Sequence, residues 1–430
     1  MMSNKQSMEN ATISRRNLLR TLSVAGASTI LPMSSARASS RIAPNQRKII
    51  FLRVPGGWDT TRVFAPMFQY SDIDMENEAY LESIGDLSYV AHPNRPNVST
   101  FFQRYGTKTT ILNGLIVPSI NHMICNRLLY TANSSGNEPD WATRIAADTV
   151  NDYSLPHVLI SGKALGGLDN NLIVRVGENG QLEQLLSGRL LEYSDRRVQI
   201  PSNREQSLVQ DYLHQRVLDL HTGASANKKA FFAQYSDSLS RSQIMTNQSD
   251  DIAWNTNGSE QSQIDLAIDL LLSNLTRTIT MEFYRMSFDS HENNDEKQSD
   301  NFEDLFAFIN TLVFQLFSTP GLYGGTLLDE TCVVVLSEMG RTPHQNSSKG
   351  KEHWYHTSSM FIGSGVQGGR VFGDFSSYFY GEPIDLQTGE VFAGGVDITP
   401  KVLGATILSL AGVDSQKVIG EDPILGMLED

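Results

Sequence analysis

An α/β fold with a mostly parallel central sheet is what this sequence predicts, on two observations. Short apolar, β-branched runs, such as residues 48–54 (KIIFLRV) and 332–336 (CVVVL), alternate along the chain with segments of helical period. Polar clusters rich in Asp, Glu, His and Asn directly follow these runs: Asp59, Asn121-His122, Asp289 with His291, and Glu338 with His353 and His356. In open α/β sheets the carboxyl ends of the strands share one edge, where ligands bind, so the four clusters are expected to converge.

The N-terminus reads apart from the fold. Residues 14–20 (SRRNLLR) form a twin-arginine pattern, residues 22–33 are mildly apolar, and Ala36-Arg37-Ala38 supplies small residues where a signal peptidase cuts. These features predict an export signal over residues 1–38, read by the twin-arginine translocase, and one α/β domain over residues 39–430. They place the mature protein in the periplasm or outside the cell. The apolar stretch is too short to span a membrane, and no later stretch is long and apolar enough.

Strands are expected at residues 48–54, 109–115, 156–160, 172–176, 278–288, 332–336 and 360–362. Helices are expected from Met123, from Asp140 as an N-cap, over 181–191, 205–220 and 228–239, along the stripe Ile264 to Leu275, over 302–316, and over 399–411 with Pro400 in the first turn. The 205–220 helix is expected to bury Leu208, Leu213, Val217 and Leu220. Residues 221–260 read as a polar surface excursion or lid. The glycine run 363–373 (GSGVQGGRVFG) lacks the Lys-Ser/Thr pair of a phosphate loop and reads as a tight turn with an edge hairpin.

At 40% hydrophobic and 19% charged, the 430-residue chain can bury a large core and is not of disordered composition. A net charge of −14 speaks against a nucleic-acid partner, which needs a basic patch. Of the two cysteines, Cys125 and Cys332, the second lies within a buried strand and reads as a free thiol, although an oxidising compartment would permit a disulfide.

Carboxylate and imidazole ligands suit zinc, manganese, iron and related divalent ions, and two such ions would clamp the oxygens of a phosphate or sulfate ester. Asp59, Asp289 and Glu338 offer oxygen; His122, His291, His353 and His356 offer nitrogen. Each histidine has a plainer reading as a hydrogen-bonded loop residue, and Asp289 as an Asx turn at a strand end. Arg341 reads either as an oxyanion clamp or as the partner of a nearby carboxylate. Trp354 and Tyr355 read as wall residues.

FLRVPGGWD, FDSHENN, VVVLSEMGRTP and KEHWYH…GSGVQGGRVFG together resemble the motifs of a bacterial family of exported proteins of unknown function, similar to the alkaline phosphatase and sulfatase superfamily. The resemblance runs from about Lys48 to about Ala411. It implies a three-layer α/β/α domain with one or two divalent ions at the strand ends. It implies metal roles for Asp59, Asp289, His291, Glu338 and either His353 or His356. Met339 stands where the superfamily has a further histidine. The position of the superfamily's nucleophile falls on Asn121, which cannot attack an ester, leaving Ser119 or Cys125 to substitute; His122 would be a ligand or a proton donor. The function so implied is metal-dependent hydrolysis of a small anionic phosphate or sulfate ester. The alternative is a non-catalytic protein that keeps the fold and a partial site to bind an envelope component.

Overall fold

The computed structural model describes residues 42–149, 152–177, 203–247, 252, 254, 258–284 and 288–429. The twin-arginine pattern, the cleavage motif and the expected helix over 181–191 lie outside the described residues.

Twelve strands are present among the described residues: β1 (Lys48–Arg53), β2 (Tyr80–Ile84), β3 (Leu87–Ala91), β4 (Thr109–Ile116), β5 (His157–Leu159), β6 (Ile173–Arg175), β7 (Thr278–Glu282), β8 (Thr331–Leu336), β9 (Gly340–Arg341), β10 (His353–Trp354), β11 (His356–Gly363) and β12 (Arg370–Phe372). Eight form one sheet in the order β12-β4-β11-β8-β1-β7-β5-β6. β1 pairs in parallel with β7 and β8, β5 in parallel with β6 and β7, and β12 in parallel with β4; β11 alone runs against its neighbours β4 and β8.

The helices are α1 (Pro96–Tyr105), α2 (His122–Thr131), α3 (Trp141–Asp148), α4 (Asn203–Thr222), α5 (Ala226–Asn247), α6 (Glu260–Leu272), α7 (Asn294–Ser318), α8 (Pro400–Leu410) and α9 (Ser415–Ile419). Successive strand residues point to opposite faces. Ile50, Leu52, Val333, Val335, Met360 and Ile362 therefore pack in one core with α1, α6 and α7. Ile49, Phe51, Cys332, Val334, Leu336 and Phe361 pack in a second core with α2, α3 and α8. Two cores on two faces make the three-layer α/β/α arrangement. The apolar runs inside β1 (Ile49 to Leu52) and β8 (Cys332 to Leu336) follow from burial on both sides. Local signals set the helix starts. Asn121, Asp140 and Thr399 cap α2, α3 and α8 by accepting the backbone N–H of Ile124, Thr143 and Val402.

Two expectations are corrected and one is extended. Val217 of α4 is buried, but Leu208 and Leu220 are 60% and 40% exposed and Leu213 is half-buried, because α4 packs on α5 rather than on the sheet. The helix expected over 228–239 is present and longer, as the 22-residue α5. The glycine run makes no hairpin: β12 crosses over and pairs in parallel with β4, two strands from where the expected partner would lie. Cys125 and Cys332 are both buried and free. No helix among the described residues is long and apolar enough to cross a membrane.

Candidate metal centre

The sheet register brings distant strand ends to one edge. β1 leads into the turn at Gly56-Gly57, β8 into Glu338, and the chain after β7 into Asp289 and His291. His122 is the first residue of α2, just beyond β4. His353 is reached differently. Because β11 runs in reverse, the residues before it lie at this edge, and β10 fixes them by pairing His353 with Arg341 of β9. The turn after β1 is tight: Gly57 has φ +77°, and a Cβ there would meet the Met339 Cγ at 2.6 Å.

Three imidazoles and a carboxylate meet at this edge. His291 Nε2 is 3.0 Å from His353 Nε2 and 3.0 Å from Asp289 Oδ1; His353 Nε2 is 3.1 Å from Asp289 Oδ1; His122 Nε2 is 3.4 Å from Asp289 Oδ2. Ligand atoms of His122, Asp289 and His353 all lie within 4.8 Å of one another. Ligands held at about 2.1 Å from one ion and about 90–109° apart are themselves separated by about 3.0–3.4 Å, which these spacings match.

The opposite ring nitrogens are all engaged. His122 Nδ1 is 2.8 Å from Glu338 Oε1, His291 Nδ1 is 2.7 Å from Glu352 Oε2, and His353 Nδ1 is 2.7 Å from the Ile120 carbonyl oxygen. A carbonyl or carboxylate acceptor makes Nδ1 the donor, which leaves the Nε2 lone pair turned towards the centre. His122 Nε2 is buried and makes no hydrogen bond. The donor set and this orphaned nitrogen fit a divalent ion with affinity for imidazole: zinc, manganese or iron rather than calcium or magnesium.

Electrostatics hold the set in its charged or oriented form. The hydrogen bond that His122 donates to Glu338 is the largest influence on His122 and raises its pKa. Burial pushes the Asp289 carboxyl up, but the Arg341 Nη2, at 2.6 Å, more than offsets this and holds it at about 2. Arg341 is fully buried. Its other donors go to the carbonyls of Gly57 (2.8 Å), Lys351 (3.1 Å) and Gly56. It orients Asp289 from behind and does not face outward as an oxyanion clamp would.

Asp59 lies behind this layer, wholly buried, and not among the converging ligands. Its Oδ1 accepts from the Thr61 N–H (3.1 Å) and hydroxyl (2.6 Å), and its Oδ2 from Asn294 Nδ2 (2.8 Å). Lys351 Nζ and Arg62 Nη2 stand 2.9 and 3.4 Å from Oδ2. Burial opposes its charge, yet Arg62 and Lys351 hold its pKa well below the usual carboxylate range.

The placements of Glu338 and His356 also differ from expectation. Glu338 Oε1 accepts from His122 and from the Gly56 N–H at 2.9 Å, so it supports a ligand. His356 is tucked inward as the first residue of β11, its Nδ1 accepting the Gly381 N–H at 2.9 Å; burial lowers its pKa to about 4. Asn121 uses its side chain as the α2 cap, the Ser119 hydroxyl accepts the Asn121 N–H at 3.1 Å, and burial pushes the Cys125 thiol up to about 11. Met339 is buried under the Gly57 turn. Glu352, Lys351 and the Ile120 carbonyl were not singled out from the sequence, although Lys351-Glu352-His353 stands within a quoted motif. Asn346 is a further support, donating to the His291 carbonyl (3.0 Å) and to Glu352 Oε1 (2.7 Å).

No curated protein matches the sequence. Solved structures similar at low identity include Ps i-CgsB in complex with k-i-k-neocarrahexaose, at 11% identity over 88% of this chain and 77% of that chain, TM-score 0.38. The lipoteichoic acid synthase LtaP from Listeria monocytogenes is similar at 10% identity over 89% and 75%, TM-score 0.37. The phosphonate monoester hydrolase of Agrobacterium radiobacter is similar at 13% identity over 85% and 74%, TM-score 0.30. The model of a family described as "Protein of unknown function (DUF1501)" matches residues 196–421. That match spans just over half of the sequence, and the chain belongs to the DUF1501 family.

Proposed function

We propose that the protein is an exported metal-dependent hydrolase of phosphate or sulfate esters, with one divalent ion held by His122, His291, His353 and Asp289. The carrying observation is that His291 Nε2, His353 Nε2 and Asp289 Oδ1 lie 3.0–3.1 Å from one another, with His122 Nε2 3.4 Å from Asp289 Oδ2 and each Nδ1 already engaged. A bound divalent ion would polarise ester oxygens and acidify water. Asp289, His122, His291 and His353 would hold that ion at the sheet edge. Glu338 and Glu352 orient two of the imidazoles, His122 and His291, through their Nδ1 atoms. His291 and Glu352, with side chains 41% and 55% exposed, form the open side by which an ester would enter. One ion is proposed rather than two, because Lys351 and Arg62 already neutralise Asp59. Export by the twin-arginine translocase is part of the proposal and rests on the residue pattern at Arg15 and Arg16.

A second reading has its own observation. Asn121 occupies the helix start with a capping role, and neither Ser119 nor the buried Cys125 is activated by a base. A non-catalytic protein that binds an envelope component through the metal would look the same. Elemental analysis of protein purified without chelators, followed by a panel of phosphate and sulfate esters, separates the readings. The hydrolase reading expects about one ion per chain, turnover, and retention of most activity in Ser119→Ala and Cys125→Ala. Fully loaded protein with no turnover across the panel overturns it in favour of binding; turnover abolished in Ser119→Ala with metal retained would establish a side-chain nucleophile instead.

A further inference from the structure

The residues that follow His353 form a cluster of rings that metal binding does not use. Trp354, Tyr355, His356 and Tyr380 are in mutual contact: ring centroids are 4.9 Å apart for Trp354–Tyr355, 5.4 Å for Trp354–Tyr380, 6.1 Å for Tyr355–Tyr380 and 4.4 Å for Tyr355–His356. Trp354 Nε1 donates to the Phe379 carbonyl at 2.9 Å. The rings are thus fixed before any ligand arrives, which lowers the entropy cost of binding.

The turn carrying Tyr380 is built to show its rings. Ser376 N–H donates to the Tyr380 carbonyl at 2.8 Å and Phe379 N–H to the Ser376 carbonyl at 2.9 Å. Phe379 adopts φ +63°, which a bulky side chain rarely does. That conformation buries Phe379 against Phe375 (centroids 4.7 Å) while leaving Tyr378 and Tyr380 74% and 42% exposed. Strain of this kind is retained where the surroundings enforce it and is common at ligand sites.

The cluster adjoins the centre. Tyr355 is two residues from His353, so their Cα atoms are at most about 7 Å apart. The loop receiving the His353 hydrogen bond at Ile120 also donates its Val117 N–H to the Tyr355 carbonyl, at 2.7 Å. Ile120 and Met123 beside His122 are each 58% exposed, so the surface next to His122 is apolar as well. The cations nearest in the chain, Arg341 and Lys351, are fully buried and engaged with Asp289 and Asp59, so neither reaches a second anionic group on a ligand.

We infer that Tyr355 and Tyr380, backed by Trp354, form a stacking subsite for a neutral ring carried by the ester, either an aryl group or the apolar face of a pyranose. The inference rests on the centre proposed above and names the part of the substrate that does not react. Ring stacking contributes about tenfold in affinity.

The test uses the metal-loaded full chain and follows tryptophan fluorescence during titration with phenyl phosphate, glucose 6-phosphate, methyl phosphate and hexyl phosphate. Metal content is measured in parallel. Phenyl phosphate or glucose 6-phosphate is expected to bind about tenfold more tightly than methyl phosphate, and whichever binds better identifies the ring. Tyr380→Ala should abolish the preference with metal content unchanged, and Tyr380→Phe should keep most of it. Equal affinity for ring-bearing and methyl esters overturns the subsite, as does a preference that survives both Tyr380→Ala and Tyr355→Ala. Tighter binding of hexyl phosphate than of both ring esters would assign the rim to aliphatic carriers and also overturn it. If the wild type holds no metal, the centre itself has failed. The subsite is then tested with phenol and methyl glucoside, where a response lost in Tyr380→Ala supports it and no response overturns it.

Discussion

Glu338→Gln separates support of a ligand from ligation. Glu338 is almost wholly buried, and one oxygen accepts from both His122 Nδ1 (2.8 Å) and the Gly56 N–H (2.9 Å). Glutamine has the same length and its carbonyl oxygen can still accept both hydrogen bonds. What it removes is the negative charge that raises the basicity of His122. Loss of such an outer carboxylate costs about 10–100-fold in metal affinity, or about 1.4–2.7 kcal/mol. Glu338→Ala should cost more, because it also leaves a buried N–H unpaired, at about 1–3 kcal/mol. Competition against a chromophoric chelator, with zinc and then manganese, reads the affinity directly. His353→Ala, which removes a proposed ligand, sets the lower bound. If Glu338→Gln binds metal as tightly as the wild type, the carboxylate does not tune His122. If it falls to the level of His353→Ala, Glu338 is itself a ligand and the arrangement described here is wrong.

Other outcomes follow from the same contacts. Lys351→Met removes one partner of a wholly buried ion pair with Asp59 and should cost about 3–5 kcal/mol in urea unfolding; a loss under about 1 kcal/mol would mean that Arg62 alone suffices. His356 has its pKa lowered to about 4 by burial, so between pH 4 and the unfolded value of about 6.5 the unfolded chain binds more protons. Stability should therefore decline as pH falls through that window. His356→Gln should flatten the decline, and an unchanged pH profile of the melting temperature would contradict the assignment. Replacing Arg15 and Arg16 by Lys should leave the protein in the cytoplasm with an intact N-terminus, whereas the wild-type chain should begin near Ser39; mass spectrometry of cell fractions decides.

The layers were legible because burial on both faces leaves a plain mark: the interiors of β1 and β8 are unbroken apolar runs, and α2, α3 and α8 follow residues whose side chains cap them. The convergence at one edge followed from strand direction alone. What each polar side chain does there was less legible, since it depends on partners remote in sequence. Asp59 looks like a ligand until Lys351, 292 positions later, is seen beside it. Glu338 looks like one until the β1–β8 register, with Arg53 opposite Leu336, sets the Gly56 N–H against it. His353 and His356 were alternatives in the linear chain; the start of β11 decides between them by tucking His356 under Gly381. The stripe on α4 was read as core because periodicity identifies an apolar face and not what covers it.

The reversed direction of β11 has a kinetic consequence. The hydrogen bond between His353 and Ile120 spans 233 positions of the chain, and that between His122 and Glu338 spans 216. Pairings of such high contact order form slowly and late, after long loops have closed. The imidazoles cannot gather until β4, β8 and β11 lie side by side, so an early compact intermediate has no complete cage for an ion. Metal uptake should therefore trail the recovery of helical signal during refolding, and a loaded chain is one whose topology is finished.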